Sequence, residues 1–463
     1  MIPLTRLIGE FVAGPRYDEI PAAAVRTVCN GFTDVSACIV LGRDMPVARA
    51  VMQVSNLTPG GEARVCFGPL GANAPEAALI NGTSAHALDY DDVGIGAHPA
   101  HPSAVLAPAI LAEAEVLRRS GRDMIAAYVA GYEVWGELAR RDADPHNMRG
   151  FHPTGVFGAL AAAAACAKLR GLDARAASNA IGIAASQAGG LVANFGSMAK
   201  PFQAGHPAMV GVRSARLAAA GMDAKADVIE QGFLPAVSPR GRVDLESPPI
   251  FGREWWTVTN GLGFKLFPMC YGTHRSLDGM LQLMAETPTA PEQVAGIDVE
   301  MSPNQQINLI NHDPQTGLQA KFSEEFAMAM AVIAKRATMT EVSDSFVQRP
   351  DVRALMKKVR ITTIPGVGDD RPSTPPNDGV TVTLNDGRKL TRRFDNPRGH
   401  PRKPVDGDVM WMKFSDCVID AMPPAAAREM FDKLQSLDRL ASVRDLPLIA
   451  QADRSKAPKV RVV

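Results

Sequence analysis

The sequence feature that most constrains the fold is a stretch of small residues in the first half of the chain. Residues 155–170 include five consecutive alanines, at 161–165, and Gly171 follows them. Alanine is the strongest helix former, and small side chains allow two helix axes to come close together. The apolar part, residues 156–167, is shorter than the roughly 20 residues that span a bilayer. We therefore expect a helix here, whose small face packs against helices of the same chain or, alternatively, forms an oligomer interface.

The neighbouring segments also predict helices. Apolar side chains recur at helical spacing over residues 123–141, after a stop signal at Ser120 and Gly121. Asp173 stands in an N-cap position before a helix expected over residues 174–188. The first half of the chain is thus expected to be helical.

After about Phe267 the pattern changes to strands mixed with helices. Ile297, Val299 and Met301 alternate with acidic residues, which is typical of a half-buried strand. Residues 385–388, Asn-Asp-Gly-Arg, predict a β-hairpin because Asp-Gly tolerates the positive φ of such turns. The remaining expectations are strands at 359–364, 380–384 and 389–394, helices at 323–336 and 351–358, and a loop at 365–378.

From about Asp406 the helical pattern returns, at residues 409–419 and, after Pro423 and Pro424, at 425–437. A chain of 463 residues exceeds the usual size of one domain. The sequence therefore predicts a mainly α fold, with a large all-helical domain at 1–266, a smaller α+β domain at 267–400 and a C-terminal segment at 401–463 that returns to the helical domain.

Charge and cysteine usage exclude several classes of protein. Basic and acidic residues are equal at 49 each, so no overall field favours nucleic acid or an anionic membrane as a partner. The six cysteines are scattered without a CxxC pair, which argues against disulfides, structural zinc and iron–sulfur clusters. The first residues lack the apolar core of a signal peptide. We expect a cytoplasmic protein.

Histidines and carboxylates concentrate in a few glycine- and proline-rich segments. Asp89, Asp91 and Asp92 lie within four residues and precede His98 and His101. Such a group is compatible with a divalent metal site, with a proton-handling cluster in which the groups shift one another's pKa, or with a solvated helix end.

Three further segments contain candidate binding groups. His152 precedes the alanine-rich helix, whose N-terminus suits a carboxylate or phosphate, although a lone histidine is usually structural. Lys200 lies between Gly196 and Gly205 and would pair with a carboxylate, unless it is an ordinary exposed lysine. His274 ends the segment at the expected domain junction, where pockets are common. Together these segments indicate a cavity for a di- or tricarboxylate.

Several runs resemble signature blocks of the MmgE/PrpD family, and they occur in the family's order. The chain contains LDYDD and HPAHPS, GFHPTGVFGALAAAAACAKLRGL, GSMAKPFQAGHPAMVGVRSARLAAAGM, KLFPMCYGTH, QAKFS and KFSDC. Members include 2-methylcitrate dehydratase, cis-aconitate decarboxylase and iminodisuccinate epimerase. The resemblance implies a large helical domain with a smaller α+β lid, a homodimer, and no metal or organic cofactor.

The resemblance also implies the site residues. Lys200 and His152 are expected to hold substrate carboxylates, and His101 or His274 is expected to move a proton, with Asp89 orienting the imidazole. The expected sets are catalytic Asp89, His101, His152, Lys200 and His274, and substrate-binding Lys200, His152, Gln203 and Tyr271.

Three positions depart from the family pattern: Val93 replaces a common threonine, Gln203 a common histidine, and Phe326 a tyrosine of the decarboxylase. The expected activity is a cofactor-independent lyase that decarboxylates or dehydrates an aconitate- or methylcitrate-type acid. An epimerase or isomerase of a dicarboxylate and an inactive binding homologue remain alternatives.

Overall fold

The computed structural model describes residues 2–14, 16–95, 100–364 and 378–449, except for the side chain of Asn304. His98 and residues 365–377 of the expected loop lie outside this part of the chain.

Helices make up most of the chain before residue 267. They are α1 (Leu4–Ala13), α2 (Ala22–Gly42), α3 (Pro46–Val54), α4 (Ala74–His86), α5 (Pro102–Leu117), α6 (Gly121–Arg140), α7 (Pro153–Arg170), α8 (Ala174–Ala185), α9 (Ala199–Ala219), α10 (Leu234–Val237) and α11 (Trp256–Thr259). Five short strands lie between them: β1 (Thr58–Pro59), β2 (Ala63–Arg64), β3 (Leu70–Ala72), β4 (Val93–Gly94) and β5 (Leu262–Gly263). This region is therefore not all helical. Short segments of its loops pair as strands, and this pairing gives their backbone N–H and C=O groups hydrogen-bond partners.

The rest of the chain mixes helices and strands and then ends in helices. The mixed part contains α12 (His274–Glu286), β6 (Val294–Met301), α13 (Pro303–Gln306), α14 (Gly317–Ala320), α15 (Glu324–Ala334), α16 (Asp344–Val347), α17 (Pro350–Met356), β7 (Val359–Thr363), β8 (Asp378–Leu384) and β9 (Lys389–Phe394). Two helices follow, α18 (Gly407–Val418) and α19 (Pro424–Gln435).

The alanine-rich helix α7 forms the centre of the helical region. Its residues 161–165 are fully buried within this single chain. A Cβ atom at Gly211 of α9 would lie 2.3 Å from the Ala162 Cβ, so only glycine permits this approach. The small face therefore packs against helices of the same chain, which was one of the two expectations for it.

Helices α4 and α9 also cross at very short distance. A Cβ atom at Gly205 would lie 2.2 Å from the backbone oxygen of Leu79. This crossing places the start of α9, with Lys200, beside the end of α4, with His86. Local helix packing thus brings together two side chains that are 114 residues apart.

The C-terminal helices α18 and α19 pack on α2 and share the core of the helical region. Helix α2 is long and apolar enough to cross a membrane, and it is the one such helix within the described residues; most of it is buried inside the protein, as in the core helix of a folded domain.

The α+β part has its own core around a four-stranded sheet of order β7-β6-β8-β9. Strand β6 pairs in parallel with β7, where Val299 faces Ile361, and antiparallel with β8, where Val299 faces Val380. The predicted hairpin is confirmed: β8 and β9 pair antiparallel, and Gly387 has φ +86° in the turn. Helices α12 and α15 cover the sheet.

The prediction of a mainly α fold with a smaller α+β part is confirmed, while the domain boundaries stay predictions. Asp173 caps α8 as expected, since its side chain accepts a hydrogen bond from the Ala176 amide. The break expected at Ser120 and Gly121 lies between α5 and α6, and Ser120 also caps α6: its hydroxyl accepts from the Asp123 amide, and the Asp123 carboxylate accepts from Ser120. The serine oxygen satisfies an amide that the first helical turn leaves free.

Candidate active site

The expected site residues lie at helix ends and are nearly all buried. His101 and His152 immediately precede α5 and α7, Lys200 lies in the first turn of α9, and His274 begins α12. Helix N-termini carry positive partial charge and free amides, so this placement suits anions.

Asp89 is the centre of the charged cluster. Its Oδ1 accepts hydrogen bonds from Lys200 Nζ at 3.0 Å and from Lys265 Nζ at 2.7 Å. Burial opposes its charged form, but the two ammonium groups outweigh burial and hold the pKa of Asp89 well below its ordinary value. Its backbone has φ +52°, a left-handed conformation that is uncommon outside glycine and often found at functional sites.

Three buried lysines hold the backbone around Asp89. Lys321 Nζ donates to the Leu88 carbonyl at 2.5 Å, Lys265 to the Asp89 carbonyl at 2.8 Å, and Lys413 to the Tyr90 carbonyl at 2.7 Å. We call these three residues the lysine clasp. They come from the α+β part, the junction and the C-terminal helix α18, so three distant regions fix three consecutive carbonyls.

His86 lies between Asp91 and Lys200 and is fully enclosed. Its Nδ1 is 2.8 Å from Asp91 Oδ1, and its Nε2 is 2.8 Å from Lys200 Nζ. The carboxylate must accept and the ammonium must donate, so His86 is a neutral ring protonated at Nδ1. Burial and Lys200 lower the pKa of His86, although Asp91 opposes them.

His101 also directs Nδ1 toward acceptors. That nitrogen is 2.9 Å from the Asp92 carbonyl and 3.0 Å from Asp91 Oδ2, while Nε2 is 3.5 Å from Asp89 Oδ1. Burial lowers the pKa of His101 to about 3, against the opposing attraction of Asp91. A neutral ring with a free Nε2 is suited to accept a proton.

His152 contacts Gln203 rather than a charged group. Its Nδ1 is 2.7 Å from Gln203 Oε1, and its ring centre is 6.2 Å from that of His86. Burial and the nearby Lys200 ammonium lower the pKa of His152 well below its ordinary value. Of the expected site residues, the structure thus brings together Asp89, His101, His152, Lys200 and Gln203.

His274 and Tyr271 lie in the junction segment beside this cluster. His274 Nε2 is 3.2 Å from the Met269 carbonyl, and its ring packs 5.1 Å from Tyr271. Burial, with the charge of Lys265, lowers the pKa of His274 to about 3. Within the described residues, His274 Nδ1 and the Tyr271 hydroxyl are buried without a hydrogen-bond partner.

Asp92 belongs to a separate polar group. Its carboxyl accepts from the Ser103 amide and hydroxyl, and that hydroxyl also contacts the Tyr128 hydroxyl. Burial and the nearby Asp34 raise the pKa of Asp92 well above its ordinary value. Its surroundings therefore favour the neutral form of the carboxyl more than those of an ordinary aspartate do.

The cluster also has spacing that could bind a metal ion, since His86, Asp89, Asp91 and His101 offer ligand atoms within 4.8 Å of one another. Two ammonium groups already contact Asp89 Oδ1, and both nitrogens of His86 face protein partners. A divalent cation would be repelled by Lys200 and Lys265. These surroundings favour acid–base chemistry over metal binding.

Cys270 is a poor candidate for a nucleophile. Burial raises the pKa of its thiol, and a thiol without its thiolate form is unreactive.

The expected set of catalytic and substrate-binding residues omitted His86 and the lysine clasp. Asp91 was part of the carboxylate group noted in the sequence but was given no individual role. The lysines have a signal in the sequence, because each is flanked by apolar residues, as in Phe264-Lys265-Leu266, Ala320-Lys321-Phe322 and Met412-Lys413-Phe414. A lysine in such surroundings is buried only when it is paired.

Two of the departures from the family pattern fill apolar positions. Val93 is buried in the β4–β5 pair, where it faces Gly263. Phe326 is fully buried in the core of the α+β part and packs 6.2 Å from Phe346.

Comparison with known proteins gives the same assignment along most of the chain. The model of the MmgE/PrpD N-terminal domain matches residues 6–246, and that of the C-terminal domain matches residues 267–438. Cis-aconitate decarboxylase of Homo sapiens is 30% identical over 393 residues, which cover 81% of this chain and 79% of that protein. The Mus musculus enzyme is 28% identical, covering 89% and 86%, and that of Aspergillus terreus 26%, covering 93% and 92%. Because both domain models match in order and the buried cluster draws on residues from each, this chain belongs to the MmgE/PrpD family.

Proposed function

We propose that this chain is a lyase that decarboxylates or dehydrates a small di- or tricarboxylate of the aconitate type, without a metal or organic cofactor. Its relatives named cis-aconitate decarboxylase support an activity of this class. The proposal rests on one observation above all. Three buried lysines, Lys200, Lys265 and Lys321, surround a site that has few carboxylates to neutralise them.

An ammonium group has three N–H donors. Lys200, Lys265 and Lys321 each direct two of them to protein acceptors among the described residues. Each keeps one donor for a substrate carboxylate while it is protonated, which for Lys321 means below its pKa of about 7. A charged hydrogen bond in a buried site is strong. A polycarboxylate matches this arrangement because it carries several such groups on one small molecule.

The imidazoles supply proton transfer. In dehydration, a C–H bond next to a carboxylate breaks, its proton goes to a ring nitrogen, and hydroxide leaves with a proton from an acid. In decarboxylation, a C–C bond breaks, its electron pair stays on the α-carbon as CO2 leaves, and a proton then adds to that carbon. Bound carboxylates raise the pKa of nearby rings, so His101 or His274 gains the proton that the second route requires.

An epimerase is the second candidate. It needs two proton acceptors on opposite faces of one carbon. His152 and His274 come from different parts of the chain, and each has a ring nitrogen without a hydrogen bond among the described residues.

An NMR screen in D2O separates these activities. The purified protein is incubated with citrate, 2-methylcitrate, cis-aconitate, trans-aconitate and iminodisuccinate. Loss of CO2 or water supports the proposed lyase, and deuterium exchange without a new carbon skeleton supports the epimerase. No change with any substrate, while binding is detected, would support an inactive binding protein. The Lys200→Met variant serves as the control for a contaminating activity.

A further inference from the structure

Gln203 connects His152 to a backbone carbonyl. Gln203 Nε2 donates to the Leu191 carbonyl at 3.2 Å, and Gln203 Oε1 lies 2.7 Å from His152 Nδ1. His152 and Gln203 are buried, with exposed fractions of 2% and 8%, whereas Leu191 is half exposed.

The Leu191 carbonyl determines the direction of both hydrogen bonds, that of Gln203 and that of His152. A carbonyl oxygen only accepts, so the amide nitrogen of Gln203 must face Leu191. The amide oxygen then faces His152 and also only accepts, so the proton of the neutral ring must be on Nδ1. His152 Nε2 consequently carries a lone pair.

The free nitrogen lies within the charged cluster. Among the described residues, the hydrogen bond of Nδ1 with Gln203 is the one that the His152 ring makes. Burial, and then the charges of Lys200, His86 and His101, disfavour a second proton on the ring and lower the pKa of His152. His152 therefore stays neutral until an anion enters.

We propose that Gln203 fixes His152 as the Nδ1-protonated tautomer, so that His152 Nε2 accepts a proton from the substrate instead of holding a carboxylate. The first half of this proposal depends on the hydrogen bonds alone; the second half rests on the proposed function. It assigns Gln203 a positioning role in place of the substrate-binding role predicted from the sequence.

The identity of residue 203 matters because its amide has one donor end and one acceptor end. A histidine, which is common at this position in the family, offers either a donor or an acceptor to His152 and so permits both tautomers. With Gln203, a proton from a substrate C–H bond would pass to His152 Nε2, while His152 Nδ1–H stays hydrogen-bonded to the Gln203 amide oxygen. The electron pair would remain on carbon, beside a carboxylate that the Lys200 ammonium neutralises.

The tautomer is measured directly by two-bond ¹H–¹⁵N correlation NMR on the full chain labelled with ¹⁵N-histidine, without substrate. The His152 signals are assigned by their loss in His152→Asn. We expect a protonated Nδ1 and an unprotonated Nε2 in the natural protein, and a mixture of tautomers in Gln203→Met. A protonated Nε2 in the natural protein, or an unchanged spectrum in Gln203→Met, overturns the proposal.

Two further variants keep the test decisive. Gln203→Glu retains an acceptor and adds a negative charge, so the pKa of His152 should rise while Nδ1 stays protonated; an unchanged pKa contradicts the contact. Gln435→Met is the control: it removes a half-buried glutamine in α19, far from His152 along the chain, whose Nε2 donates to Thr33 Oγ1. This variant should leave the His152 signals unchanged.

Kinetics with the substrate found in the D2O screen test the second half. Loss of a group that orients a catalytic residue typically costs about 10–100-fold in activity. We expect Gln203→Met to lower kcat by about 10-fold and to leave KM near that of the natural protein. A raised KM with unchanged kcat would mean that His152 binds a carboxylate. Because the tautomer is measured without substrate, a failure of the tautomer prediction can be distinguished from a failure of the proposed function.

Discussion

Lys321 donates a hydrogen bond from its ammonium group to the Leu88 carbonyl at 2.5 Å, and so joins the α+β part of the chain to the segment that carries Asp89. The same nitrogen donates to the Pro268 carbonyl at 2.7 Å. One side chain thus links three segments that surround the proposed site.

Replacement of Lys321 by methionine should therefore impair both stability and turnover. It leaves two buried carbonyls without a donor, which costs about 2 kcal/mol of the free energy of unfolding, and it loosens the backbone next to Asp89. Urea unfolding and kcat of Lys321→Met report the two effects. Lys357→Met, at an exposed lysine on the same part of the chain, is the matched control. Natural turnover in a folded Lys321→Met protein would contradict the role of the clasp.

Replacement of Asp89 by asparagine should abolish most activity without unfolding the protein. Asparagine tolerates the left-handed backbone at this position, so the fold is kept. The lost charge leaves Lys200 and Lys265 without their shared partner, and kcat/KM should fall by about 100-fold or more, as for a group that serves acid–base catalysis. Circular dichroism and steady-state kinetics measure these effects. Arg118→Asn, at another left-handed position, isolates the backbone effect; equal losses in both variants would rule out a role for the charge.

Stability should rise with pH through the titration of Lys321. Burial, with the charges of Lys265 and Lys200, lowers its pKa to about 7 against the opposing attraction of Asp89 and Asp91, compared with 10.5 for an ordinary lysine. Between these values the unfolded chain binds a proton that the native chain does not, so the free energy of unfolding increases with pH. The increase should be present in the natural protein and absent from Lys321→Met. If that variant does not fold, Lys321→Arg can replace it: the arginine stays charged, so this variant should also lack the increase of the free energy of unfolding with pH. Parallel pH profiles would show that Lys321 is not the responsible group.

Binding of a polycarboxylate should take up protons from solution. The histidines of the cluster are neutral at pH 7 because burial lowers the pKa of His101 and His274 to about 3, and negative charge raises it again. Calorimetry in buffers with different ionisation enthalpies should give different binding heats. Equal heats in all buffers would mean that the substrate binds without protonating any group.

Activity should survive exhaustive chelation. Lys200 and Lys265 occupy the carboxylate that a cation would need, so EDTA treatment followed by dialysis should leave kcat unchanged. Loss of activity that added Zn²⁺ or Mg²⁺ restores would favour the metal site that the spacing of Asp89, Asp91 and the histidines permits.

Local features of this protein could be predicted because local chemistry decides them. The helix α7 follows from its alanines, the end of that helix from Gly171, the start of α8 from Asp173, and the β8–β9 hairpin from its Asp-Gly turn. Each depends on residues within one turn of the chain. The motif residues Asp89, His101, His152 and Lys200 could also be named, since histidines and carboxylates beside glycine and proline stand out.

The sequence by itself therefore determined the helical class of the chain, its family and most of the chemical groups available at the site. Only the tertiary structure decided the protonation states of these groups. The charge of Asp89 depends on two lysines that are 111 and 176 residues away along the chain. Asp92, three residues from Asp89, has a raised pKa instead, because it is buried beside Asp34. The proton on His152 depends on Gln203 and, behind it, on the Leu191 carbonyl. Protonation follows from burial and from partners distant in the chain, and neither is a property of a residue's neighbours in the sequence.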